Sequence, residues 1–165
     1  MLVTRRQRVK PAGGVDSKRG GVVELTYPVL LVSKKKKSVH VELTGSHLGK
    51  CTNTALKGGY FDQMEIYDSN GRNYKVDEVV GVKPLNAVWR WPLEVLMFNS
   101  RLLKAELKTT LVSQLELKEF KSVVAEVVNE QKESWESGVG REAMLNDLAA
   151  ANCIEDVIRI FRPEN

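Results

Sequence analysis

The sequence predicts an α+β fold: an antiparallel sheet of about five or six strands followed by two or three C-terminal helices. Three observations carry this. Alternating apolar residues dominate the chain up to Leu111, and a period of 3.6 residues takes over from Leu117. Turn residues separate the strands at short intervals, so neighbouring strands can pair as hairpins. Strands come first and helices after, which is the order of an α+β domain rather than of an alternating parallel sheet. The length of 165 residues is enough for one such domain to bury a core without metals or disulfides. Residues 1–21 are rich in Gly and basic side chains, so a basic flexible arm is expected there. A single domain is expected over 22–165.

Each element has its own signal. In Val22–Ser33, Val23, Leu25, Tyr27, Val29 and Leu31 share one face, and Pro28 suggests an edge strand or a bulge. The turn Lys34–Lys37 leads to Ser38–Thr44, where Val39, Val41 and Leu43 alternate with polar residues. Residues 45–59 look like loop. Ser69-Asn70-Gly71 joins two further strands, with Asp68 placed to cap the turn and Gly71 to take positive φ. Residues 88–97 are apolar and ambiguous, with Pro92 breaking any strand. Arg101–Leu111 alternates cleanly. Ser113 with Glu116 predicts a capping box for a long helix. Its apolar stripe is Leu117, Phe120, Val123, Val124, Val127, Val128, Gln131 and Trp135, and it ends at Gly138 and Gly140. A short helix is expected over 141–151. Asn152 with Glu155 predicts the cap of a last helix, with Cys153, Ile154, Val157, Ile158 and Phe161 turned inward.

Charge is unevenly spread. Residues 1–37 carry ten Lys or Arg against two acids, and residues 38–165 carry fifteen against nineteen. Such asymmetry points to charged partners. The two cysteines, Cys51 and Cys153, read as free thiols. The first residues lack the apolar core of a signal peptide, and no apolar run approaches the ~20 residues of a membrane span. A cytoplasmic location without membrane contact is expected.

Tests for chemistry mostly eliminate. His47 and Cys51 form one ligand pair without a second, short of a zinc site. Asp68-Ser69-Asn70-Gly71 opens like a calcium loop, but Arg72 and Val79 fall where oxygen ligands belong. Gly45–Thr52 resembles a phosphate loop, yet has three residues between its glycines and Cys51 after Lys50. His40 reads as a solvated strand residue. No catalytic residue, metal or cofactor is assigned. The basic set Arg5, Arg6, Arg8, Lys10 and Lys34, Lys35, Lys36, Lys37 offers a nucleic-acid surface, or in its plainer role keeps a turn soluble beside an edge strand. Trp89, Arg90 and Trp91 are candidates for partner anchors.

Three stretches, GGYFDQMEIYDSNGRNYKV, LELKEFKSVVAEVVNEQKESWES and LAAANCIEDVIRIF, together resemble bacterial immunity proteins of polymorphic-toxin systems. The resemblance spans roughly residues 58–161. It implies a non-catalytic protein that neutralises a cognate toxin domain by protein–protein contact. The strong positive charge of residues 1–57 departs from the often acidic pattern of those families. Apart from the resemblance, Glu126, Glu130, Glu133 and Glu136 lie on the outer face of the long helix, where they could meet a basic toxin cleft. The alternative is a nucleic-acid-binding or ribonucleoprotein accessory protein that uses the basic arm.

Overall fold

The computed structural model describes residues 24–35, 37–85, 102–130 and 140–162. Six strands form one antiparallel sheet: β1 (Val29–Ser33), β2 (Ser38–Glu42), β3 (Lys50–Thr52), β4 (Met64–Asp68), β5 (Arg72–Pro84) and β6 (Leu102–Gln114). Their spatial order is β2-β1-β4-β5-β6-β3. Helix α1 (Asn53–Lys57) follows β3. Helices α2 (Leu117–Glu130), α3 (Arg141–Ala150) and α4 (Ile154–Arg159) follow β6. The expected α+β architecture is therefore present, with three helices at the C-terminal end.

Both faces of the sheet are covered at its β1–β4 end. Leu30, Val32 and Tyr67 point to one side, where Phe120, Val124 and Val128 of α2, Met144 and Leu148 of α3, and Val157 and Ile158 of α4 close over them. Val29, Ile66 and Met64 point to the other side and pack with Cys51, Phe61, Tyr74, Val76 and Ala105. The alternation of Leu25, Tyr27, Val29 and Leu31 was legible, since all four join this second cluster. The opposite positions, Leu30 and Val32, are buried as well, so β1 is apolar on both sides.

The two hairpins form as expected. Lys34–Lys37 turns β1 into β2, and Ser69-Asn70-Gly71 turns β4 into β5. Asp68 is fully buried, and its Oδ1 accepts the N–H groups of Asn70 and Arg72 at 2.9 Å each. A buried carboxylate is tolerable because backbone donors replace its water. Gly71 has φ +79, and a Cβ there would strike the Leu115 carbonyl and lie 2.7 Å from Ile154 Cδ1. Only glycine lets the hairpin tip meet the start of the helical layer.

Several expectations need correction. Pro28 does not mark an edge: β1 begins at the next residue and lies between β2 and β4, so the missing N–H falls outside the ladder. Residues 45–59 are not all loop. β3 forms because β6 pairs with it, and α1 forms because Thr52 Oγ1 accepts the Ala55 N–H at 3.1 Å. Ser113 caps no helix; it lies in β6 opposite Asn73. The helix starts at Leu117, and Glu119 reaches back to the Glu116 N–H at 3.1 Å. The last helix is capped one residue later than expected, by Cys153 and Asp156, and this turns Cys153 out to solvent. The remaining stripe residues through Val128 are buried or half-buried, while Gln131, Trp135 and Gly138 lie outside the described residues.

Candidate functional site

Burying its apolar stripe against the sheet obliges α2 to turn its polar residues outward. Lys118, Glu119, Ser122, Glu126, Asn129 and Glu130 are exposed. Lys121 does not join them freely, because its Nζ donates to the Ala149 carbonyl at 2.8 Å and ties α2 to α3. Among the described residues, neither Glu126 nor Glu130 has an ion-pair partner. Glu142 and Asp147 on α3 are also exposed, so this layer shows an acidic exterior. Glu133 and Glu136 lie outside the described residues, as do Trp89, Arg90, Trp91 and the arm residues Arg5, Arg6, Arg8 and Lys10.

The lysine turn is engaged locally. Lys34 meets Glu65 at 2.8 Å and Lys35 meets Asp62 at 2.6 Å. Glu65 also accepts the Tyr67 hydroxyl, so this carboxylate bridges the turn to the helix-side core. Lys37 is exposed with φ +48, and Lys36 lies outside the described residues.

A cavity of about 270 Å³ opens between β2 and the 47–50 segment. Both histidines, Glu42, Lys50 and Tyr60 line it. Glu42 is buried; its Oε1 accepts the Thr44 N–H at 3.3 Å, and its Oε2 lies 3.8 Å from His47 Nδ1. His40 sits 6.2 Å from the Tyr60 ring. Cys51 lies in the core below, and burial raises its thiol above the ordinary value. A thiol kept protonated is a poor nucleophile and a poor metal ligand. Burial, then the neighbouring Cys51, raises the Tyr60 phenol. Among the described residues no three His, Cys, Asp or Glu side chains gather as a metal site. The Gly45–Thr52 segment ends in a strand and a five-residue helix, which is not a phosphate-loop framework. Neither family models, nor curated proteins, nor solved structures match the chain. Among the described residues, no helix is long and apolar enough to cross a membrane.

The β5–β6 ribbon holds a feature that residue spacing did not reveal. Cross-strand partners in an antiparallel pair share a face. On one face Glu78 stands opposite Lys108, and they form an ion pair at 2.8 Å. Its hydrogen bond and charge raise the Lys108 ammonium above the ordinary value. Farther along the same face, Lys83 stands opposite Lys104, and Lys104 opposite Lys50 of β3. Three lysines therefore lie abreast across three strands. Finding them requires the register, which shifts three times along the pair, first at Val112 of β6 and then at two bulges of β5. β5 carries an extra residue between Val76 and Glu78 and another between Val79 and Gly81. Without those bulges, Leu102 would stand opposite Lys83.

Proposed function

We propose that the chain is a non-catalytic binding protein, and specifically an immunity protein that neutralises a cognate bacterial toxin domain by direct contact. The observation that carries this reading is the acidic exterior of the helical layer. Glu126 and Glu130 project from a helix anchored by fully buried residues, and no cation of the described chain engages them. Unpaired carboxylates on a rigid element suit a basic cleft, because complementary charge speeds encounter and selects the partner. A toxin domain that acted on nucleic acid would need a basic cleft for the phosphate backbone, and covering it needs no chemistry from the inhibitor. The rest of the support is the resemblance of residues 58–161 to immunity proteins. A protein of this kind works in the cytoplasm of the cell that makes the toxin.

The test is co-expression with the toxic domain encoded immediately upstream in the source genome. The full chain should restore growth, and the E126K/E130K variant should fail to do so while remaining folded. No protection by the unaltered chain would refute the reading.

A further inference from the structure

We propose that Lys50, Lys104 and Lys83 form a phosphate-binding row for the backbone of a nucleic acid, on the open face of the β5–β6–β3 corner. The first argument is cost. Adjacent strands lie about 4.8 Å apart, so like charges placed directly opposite repel and destabilise the pair. The same ribbon avoids that cost elsewhere, where it sets Glu78 against Lys108. At the row it does not. Lys83 and Lys104 are exposed and Lys50 half-buried, and among the described residues none has an ion-pair or side-chain hydrogen-bond partner. The acid next along β6 on this face is Glu106, opposite Gly81. Its carboxylate lies over Gly81, with Oε2 3.3 Å from where a Cβ would be. It does not bridge the lysines.

The second argument is register. The two bulges in β5 replace a Lys83–Leu102 pairing with Lys83–Lys104. Bulges re-aim side chains, and here they complete the line of charge. The third argument separates two kinds of polyanion. Lysine meets phosphate as a point charge, without the directional selectivity of the arginine fork, which suits carboxylate and phosphate alike. Protein–protein interfaces are depleted in lysine. A row made of lysine alone, flanked on this face by Thr52 and Leu102 on one side and Glu106 on the other, offers charge without the Arg, Asn or Gln that read base edges bidentately. The expected ligand is therefore a nucleic-acid backbone bound without regard to sequence. This surface is distinct from the acidic helix face, and its test stands apart from that of the proposed function.

The experiment uses the full chain and a fluorescein-labelled oligothymidine, with anisotropy recorded across a salt series. The K50Q/K83Q/K104Q variant should bind roughly tenfold or more weakly at low salt, with a log–log salt slope shallower by about two. K50R/K83R/K104R should keep the slope. The glutamine variant should melt no lower than the parent, because it relieves repulsion. A slope equal to the parent's would overturn the proposal, since the contacts would then lie elsewhere in the chain. So would absence of binding. Displacement of the oligonucleotide by polyglutamate at lower concentration than by unlabelled oligothymidine would assign the row to an acidic protein and equally overturn it.

Discussion

The helical layer and the far half of the β5–β6 ribbon differ in how they are held. Helices α2, α3 and α4 are fastened through side chains with essentially no exposure, among them Phe120, Val124, Val157 and Ile158. The ribbon beyond Val76 is fastened by its ladder, by pairs such as Glu78–Lys108 and, on one face only, by Val79, Leu103, Ala105 and Leu107 packed on the second cluster, while Val80, Val82 and Leu102 remain exposed. They differ in sign as well, the first showing carboxylates and the second a row of lysines. The lesson is that burial stabilises one region and leaves its outer face free to vary. In the other, the outward face is built of cross-strand pairs that also hold the ribbon, so a like-charged row weakens the element that carries it.

Breaking this contrast is simplest through the cores. Phe120→Ala should cost about 3–5 kcal/mol in urea unfolding, whereas Val82→Ala should stay within roughly 0.5 kcal/mol. Similar losses from the two would contradict the division. Asp68→Ala sharpens it at the junction. It strands the N–H groups of Asn70 and Arg72 in a partly buried turn, and a loss of about 1–2 kcal/mol is expected from the same measurement.

Compared with a Tyr67→Phe variant, a pH series probes the helix side. Burial first, then the Glu65 hydrogen bond and the charges of Glu65 and Glu126, push the Tyr67 phenol above its ordinary value near 10. A group raised in the folded state gives its full stabilisation below the unfolded value and loses it as pH rises past that value toward the folded one. Melting temperature should therefore fall with added alkali above pH 10, and Tyr67→Phe should flatten part of that fall. An identical alkaline profile in the variant would remove Tyr67 from the account. The smallest effect belongs to the ribbon: Lys104→Gln should raise stability by about 0.2–1 kcal/mol through relief of both like-charged contacts. A loss would mean that the lysine stem packs favourably enough to outweigh the repulsion.

Much of the framework was legible because local rules coincide with tertiary ones. The Asp68–Gly71 turn follows from residue chemistry that any context would reward. The α2 stripe follows from the helical period. The failures share a cause. β3 exists only because β6 is beside it, and both predicted caps, Ser113 and Asn152, were displaced by partners that spacing does not show: the β5 ladder pairs Ser113, and the Asp156 carboxylate moves the last cap from Asn152 to Cys153. The acidic face of α2 was readable from periodicity through Glu130. The lysine row was not, because Lys50, Lys83 and Lys104 come from three separated strands whose register two bulges reset. Spacing pairs His47 with Cys51 and leaves His40 a solvated strand residue; only the fold shows that the two histidines line one cavity.

In the proposed function, recognition of a basic protein partner runs through the outer face of α2. The most direct measurement is the association rate of the full chain with the toxic domain encoded upstream, by stopped flow at low and high salt. E126K/E130K should slow association by roughly tenfold or more at low salt, with the gap closing as salt rises. K50Q/K83Q/K104Q should leave the rate essentially unchanged. Equal rates for E126K/E130K and the parent at low salt would contradict the account.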